Sequence, residues 1–217
     1  VSAAQQHSNR GGRPRRDQAG EVETRLLDAA ASMFLSRGFA RTSMHQVAQS
    51  AKSGKTSLYS RYPTKGALFA AVVQRSVAWD TDFDSEQEAG ASTQDKLTET
   101  GLMLADRTLT EQSIAMMRVT AAEAEAFPEI ALEGHRIGFG LCVASIARCL
   151  VRADEFDSPE DATPMARRFV ELALHPLYFH ALAGHDLAGL RSRARLDVPQ
   201  TARYLLTQSD DIGRDVP

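Results

Sequence analysis

The chain has 217 residues, 43% of them hydrophobic and 24% charged, the composition of an ordinary globular protein large enough for one or two domains. No run approaches the roughly 20 apolar residues of a membrane-spanning helix, and the basic opening VSAAQQHSNRGGRPRRDQ lacks the apolar stretch of a secretory signal, so the expected setting is the cytoplasm. The formal net charge of −3 hides an asymmetry: residues 1–75 hold 12 basic and 4 acidic side chains, a net of +8, and the remainder holds 13 and 24, a net of −11, which points to a polyanion-seeking front and a back with another task.

Residues 1–20 are polar and glycine-bearing and read as a flexible basic arm. From Glu21 the pattern changes. Val22, Leu26, Ala30, Met33 and Phe34 share one helical face, and Gly38 is placed to end that helix. Ser43 followed by Gln46 forms a capping-box pattern ahead of a short helix whose apolar face is Met44, Val47, Ala48 and Ala51. Lys52-Ser53-Gly54 interrupts. A second short helix is expected from about Lys55 to Arg61, and Tyr62-Pro63-Thr64 breaks the chain again before a helix carrying Leu68, Phe69, Val72, Val73 and Val77.

The stretch Gly54-Lys55-Thr56-Ser57 looks like the end of a phosphate-binding loop. That motif requires a glycine five residues before Gly54, and position 49 is Gln49. It also requires a preceding strand, and the residues before it read as helix and turn. Two short helices joined by a tight turn fit a helix-turn-helix instead, in which the second helix enters the major groove. Lys55, Thr56, Ser57 and Ser60 lie on its exposed side and can reach base edges or phosphates, while Leu58 packs inward.

Residues 24–69 of this stretch resemble the N-terminal domain of the TetR family. The match runs without gaps through Arg25, Leu27, Ala29 and Ala30; Gly38, Phe39, Thr42 and Ser43; Val47, Ala48 and Ala51; and Lys55, Ser57, Leu58, Tyr59, Tyr62, Lys65 and Leu68. The resemblance implies phosphate contacts from Thr42, Ser43, Tyr59 and Lys65, and it places Tyr62 within the DNA-binding motif, residues 43–62. This chain departs from the family's usual Gly-Val-Ser turn: Gly54 stands where a serine cap is common, so Ser53 is expected to cap in a shifted register and Lys52 to supply the phosphate contact. In the arm, Arg13 and Arg15 are expected to enter the minor groove, where the potential is most negative.

Beyond the acidic segment 80–95, helices are expected near 94–108, 111–126, 128–137, 139–152, 160–183 and 197–208, with a loop over 183–193. No stretch alternates apolar and polar residues, so the fold class is all-α: a three-helix helix-turn-helix domain over 21–64 and a larger helical domain over 65–217. Cys142 and Cys149 sit about 10.5 Å apart along one helix, too far for a disulfide. His175, His180 and His185 are spaced by five, about 140° apart on a helix, so no metal site is assigned and no cofactor is expected.

Glu123 to Glu129 resembles a segment of the subgroup with AefR-like C-terminal domains, and residues 175–184 resemble the family's penultimate dimer helix. The resemblance implies a small-molecule effector in an apolar cavity and a homodimer formed through helices near 160–183 and 197–208. Trp79, Met103, Met116, Met117, Phe127, Phe139 and Cys142 are the cavity candidates, with ordinary core packing as the competing reading. The implied protein is a transcriptional repressor released from a palindromic DNA operator by its effector, with the helix from residue 65 as the lever. The alternatives are a DNA-coating protein, which should be basic throughout, and an enzyme with a helical core, which should show converging titratable residues.

Overall fold

The computed structural model describes residues 16–77 and 91–212, and every regular element among them is helical. In chain order these are α1 (Arg16–Arg37), α2 (Met44–Ser50), α3 (Lys55–Arg61), α4 (Lys65–Val77), α5 (Thr93–Thr108), α6 (Glu111–Ala122), α7 (Pro128–Arg152), α8 (Pro159–Phe169), a π-helical turn (Val170–Leu174), α9 (His175–Leu182) and α10 (Leu187–Ile212).

α1 begins five residues earlier than its apolar pattern, at Arg16, and closes at Gly38. That glycine has φ +81, a left-handed conformation that carries no Cβ penalty there. Its N–H reaches the Phe34 carbonyl at 2.9 Å. The chain then folds back, and the Phe39 ring stacks on Phe34 with centroids 5.8 Å apart. Phe69 of α4 meets both rings edge-on, at 5.2 and 5.4 Å. This aromatic cluster and Leu26, Leu58 and Leu68, all fully buried, form the N-terminal core. The same core includes Met116 from α6 and Ile130 from α7. A division between residues 64 and 65 would therefore cut through packed side chains. Arg75 of α4 adds an ion pair to Asp28 of α1.

The second core lies among α5, α7, α8, the π turn, α9 and α10, around Leu97, Leu104, Ile146, Phe169 and Val198. α5 crosses it closely: a Cβ on Gly101 would lie 2.7 Å from both Phe169 and Val198. Cys142 and Cys149 are buried free thiols in α7.

Several expected boundaries differ. α6 stops at Ala122, four residues short of its expected end at 126. α7 is one helix of 25 residues, not two halves parted at Gly138. It is long and apolar enough by length and composition alone to cross a membrane, but its buried residues from Ile130 to Leu150 serve both cores. The segment 160–183 is broken by the π turn, which shifts the backbone where Pro176 withholds an N–H. α10 starts at Leu187 inside the expected loop, because the Asp186 carboxylate accepts the Gly189 N–H at 2.6 Å and so caps its first turn.

Candidate nucleic-acid interface and effector cavity

α2 and α3 are held as the sequence pattern requires. The Ser43 hydroxyl accepts the Gln46 N–H at 3.3 Å, and the Gln46 side chain accepts the Ser43 N–H at 3.2 Å, completing the capping box. Arg25 of α1 reaches the Ala51 carbonyl at the end of α2 at 3.4 Å. Leu58 anchors α3 with no exposed surface, and Tyr59 on its outer side is 48% exposed. Lys52, Gly54, Lys55, Thr56, Tyr59 and Ser60 are all exposed, and Ser53 and Ser57 are half-buried. Ser57 is partly engaged, since its hydroxyl accepts from Arg61 at 2.7 Å.

The N-cap of α3 is Gly54, with no side-chain cap. Ser53 does not cap in a shifted register; its N–H is held by the Ala48 carbonyl at 2.9 Å. The first amides of α3 are thus left without a side-chain acceptor, beside exposed Lys55 and Lys52. Lys52 adopts φ +50, a left-handed conformation costing a non-glycine residue about 1–2 kcal/mol. Lys52→Gly should therefore raise the unfolding free energy by about 1 kcal/mol in urea denaturation, while weakening DNA binding through the lost charge.

Three residues taken as DNA contacts point elsewhere. Thr42 is 2% exposed, and its hydroxyl donates to the Gly38 carbonyl at 2.9 Å. Tyr62 is buried at the end of α3 and donates to Glu23 at 3.1 Å; burial and that carboxylate push its phenol up to about 12. Lys65 donates to the Phe39 and Ala40 carbonyls at 2.8 and 3.2 Å and lies 4.2 Å above the Phe39 ring. Burial pushes its ammonium below its ordinary range. These side chains brace the motif from behind. Arg13 and Arg15 lie outside the described residues.

The larger lobe holds a partly open cavity of about 430 Å³, within the range of small-molecule sites. Met116, Met117, Phe139 and Cys142 line it as expected. Met103 packs on the second core instead. Phe127 joins the N-terminal core, its ring 5.2 Å from Phe39. Trp79 lies outside the described residues. The sequence reading missed His135, His175, Tyr178 and Phe179, which also line the space. Tyr178 is buried, 2.9 Å from the Thr108 hydroxyl, and Cys142 lies 4.0 Å from it; burial raises the titration of both, Cys142 to about 11.

Among the described residues no group of three or more His, Cys, Asp or Glu could hold a metal ion. His180 and His185 do approach, with ring centroids 4.8 Å apart, because the chain turns back at Gly184, φ +97.

Cavity and DNA-facing motif are joined by α6. Ser113, Met116, Met117, Thr120 and Ala121 face the cavity. Beyond its last turn, Glu123 accepts the Ala40 N–H at 3.2 Å, in the turn that leads into α2.

A helix-turn-helix fused to a helical lobe with an apolar cavity is the architecture of a DNA-binding regulator. Residues 26–72 match the family profile for bacterial regulatory proteins of the tetR family, and residues 95–202 match that for the C-terminal domain of AefR-like transcriptional repressors. The chain belongs to the TetR family of DNA-binding transcriptional regulators.

Solved structures agree on the fold. A TetR-family regulator from Mesorhizobium loti is 19% identical over 89% of this chain and 98% of its own, with a TM-score of 0.64. The flavonoid-responsive regulator FrrA is 22% identical over 87% and 97%, with a TM-score of 0.57. NalD from Pseudomonas aeruginosa, the secondary repressor of the MexAB-OprM multidrug efflux pump, is 20% identical over 88% and 95%, with a TM-score of 0.52. No curated protein sequence matches the chain.

Proposed function

We propose that this protein is a homodimeric repressor that leaves a palindromic operator when a small molecule fills the cavity of the larger lobe. The observation that carries this reading is that α6 forms a wall of the cavity and, just past its end, grips the turn before α2. A ligand that displaces α6 thereby favours one placement of the recognition helix over another, as differential binding to two states requires. α4 offers a second route, since Val73 and Ser76 also line the cavity.

Dimerisation through α8, α9 and α10 accords with exposed apolar side chains on and between these helices: Leu172 of the π turn, Phe179 of α9, and Leu196 and Tyr204 of α10 are each at least 45% exposed. Exposed apolar surface on neighbouring elements suits an interface. A two-fold dimer would set its two α3 helices one DNA turn apart, about 34–36 Å. It would work in the cytoplasm, where the DNA is.

Selection of bound fragments from random DNA, followed by footprinting, tests the reading. One protected site with two inverted half-sites is expected; uniform protection along the duplex would favour the coating alternative. The coupling has its own test. Glu123→Ala removes the link between α6 and Ala40 without touching the cavity or α3. Ligand affinity measured by calorimetry should stay within about twofold. Operator release, read by fluorescence anisotropy, should need roughly tenfold more ligand, as a loss of about 1–2 kcal/mol of coupling implies.

A further inference from the structure

We infer that the cavity selects an uncharged, planar aromatic molecule bearing one hydroxyl group, which stacks along α7 and hydrogen-bonds the His175 imidazole. This deepens the effector reading above and rests on it.

Planarity follows from α7. On its cavity face Gly138 stands between His135 and Phe139, one turn beyond Gly134, which Thr120 of α6 covers. An added Cβ at Gly138 would meet no atom within 4 Å, so the helix presents bare backbone to open space. His135 and Phe139 lie nearly parallel beside it, 14° apart with centroids 5.4 Å apart. The His175 ring comes in from α9, 4.9 Å from Phe139. A flat wall edged by rings at these spacings receives another ring by stacking or edge contact, and it leaves a puckered molecule poorly packed.

Neutrality follows from the lining. No described Asp, Glu, Lys or Arg lines the space. A carboxylate or ammonium entering it would lose water without gaining a counter-charge. Formal charges near it lie outside the lining: Glu171 is one helical turn before His175 in the π segment, Arg167 of α8 lies 5.1 Å from the Phe139 ring, and Arg118 of α6 is tied to the Ala181 and Leu182 carbonyls.

The hydroxyl follows from His175. It is half-buried, and no described residue hydrogen-bonds it or His135. Burial, with His135 in support and against the pull of Glu171, holds its titration below the usual histidine value. At neutral pH it therefore offers one N–H and one bare nitrogen. Deeper in the cavity, the Tyr178 and Thr108 hydroxyls are already paired with each other. His175 and His135 are thus the polar side chains left for a ligand, and His175 is the more buried of the two.

The test titrates the full chain at pH 7.5 by calorimetry with four probes: 2-naphthol, 2-methylnaphthalene, 2-naphthoate and decahydro-2-naphthol. 2-Naphthol is expected to bind at least roughly tenfold tighter than each of the others, about the effect of one hydrogen bond or one unpaired charge. His175→Phe should erase its preference over 2-methylnaphthalene. Gly138→Leu should abolish binding with no loss of thermal stability, since the new side chain enters empty space and leucine favours the helix. Equal binding of 2-naphthoate or of decahydro-2-naphthol overturns the inference, as does no binding of 2-naphthol or full binding to Gly138→Leu. Operator anisotropy on the same samples separates the two readings. Binding of 2-naphthol without operator release sinks the regulatory role and keeps the ligand class. Release by a charged or aliphatic compound, with 2-naphthol inert, does the reverse.

Discussion

Replacing Lys55 and Tyr59 together with alanine should lower operator affinity by roughly 30-fold or more, about 2 kcal/mol, and leave the melting temperature unchanged. Both side chains project from the outer face of α3, while Leu58 holds the helix from within. Neither buries enough surface for its loss to destabilise the fold beyond about 0.5 kcal/mol. Lys55 supplies charge beside the uncapped first turn of α3, where backbone N–H groups and the helix dipole already favour phosphate. The salt dependence of binding should flatten in parallel, by about one unit of slope for the lost lysine. An unchanged affinity with an intact fold would mean that α3 does not face DNA.

Phe39→Ala should destabilise the protein by about 3–5 kcal/mol, as truncation of a fully packed aromatic does. The melting temperature should fall by roughly 10 °C for a chain of this length. Phe39 is only 3% exposed. Its ring touches Phe34 of α1, Phe69 of α4 and Phe127 ahead of α7, and the Lys65 ammonium rests over it. Removal would open a void that three separate segments cannot all close. Leu132→Ala is the matched control: Leu132 is 70% exposed, so its loss should change stability by less than about 0.5 kcal/mol.

The DNA-facing half was legible in the sequence because its signals are local. Gly38, the Ser43/Gln46 box and the apolar spacing of α2 act over a few residues, and each appears where the pattern put it. Orientation was less legible. Thr42, Tyr62 and Lys65 belong to the motif, yet whether a side chain turns outward depends on partners such as Glu23 and Phe39, 39 and 26 residues away along the chain. In α7, Gly138 suggested a break. A glycine costs a helix only about 1 kcal/mol, and the buried row from Ile130 to Leu150 outweighs it. The cavity was half-read. Met116, Met117, Phe139 and Cys142 carry the apolar spacing of two helices, but the wall from His175 to Leu182 arrives from a third. Only tertiary packing decides that Phe127, equally apolar, goes to the other core.

The shared aromatic cluster limits how freely this regulator can be recombined with its relatives. Met116 and Ile130, from the sensing half, sit among the side chains that shape the reading head. A chimaera spliced after α4 would inherit a socket with its plug missing. Swapping operator preference between paralogues would require transplanting Phe127, Glu123 and the end of α6 along with the first four helices, so drift in one half constrains what the other can become.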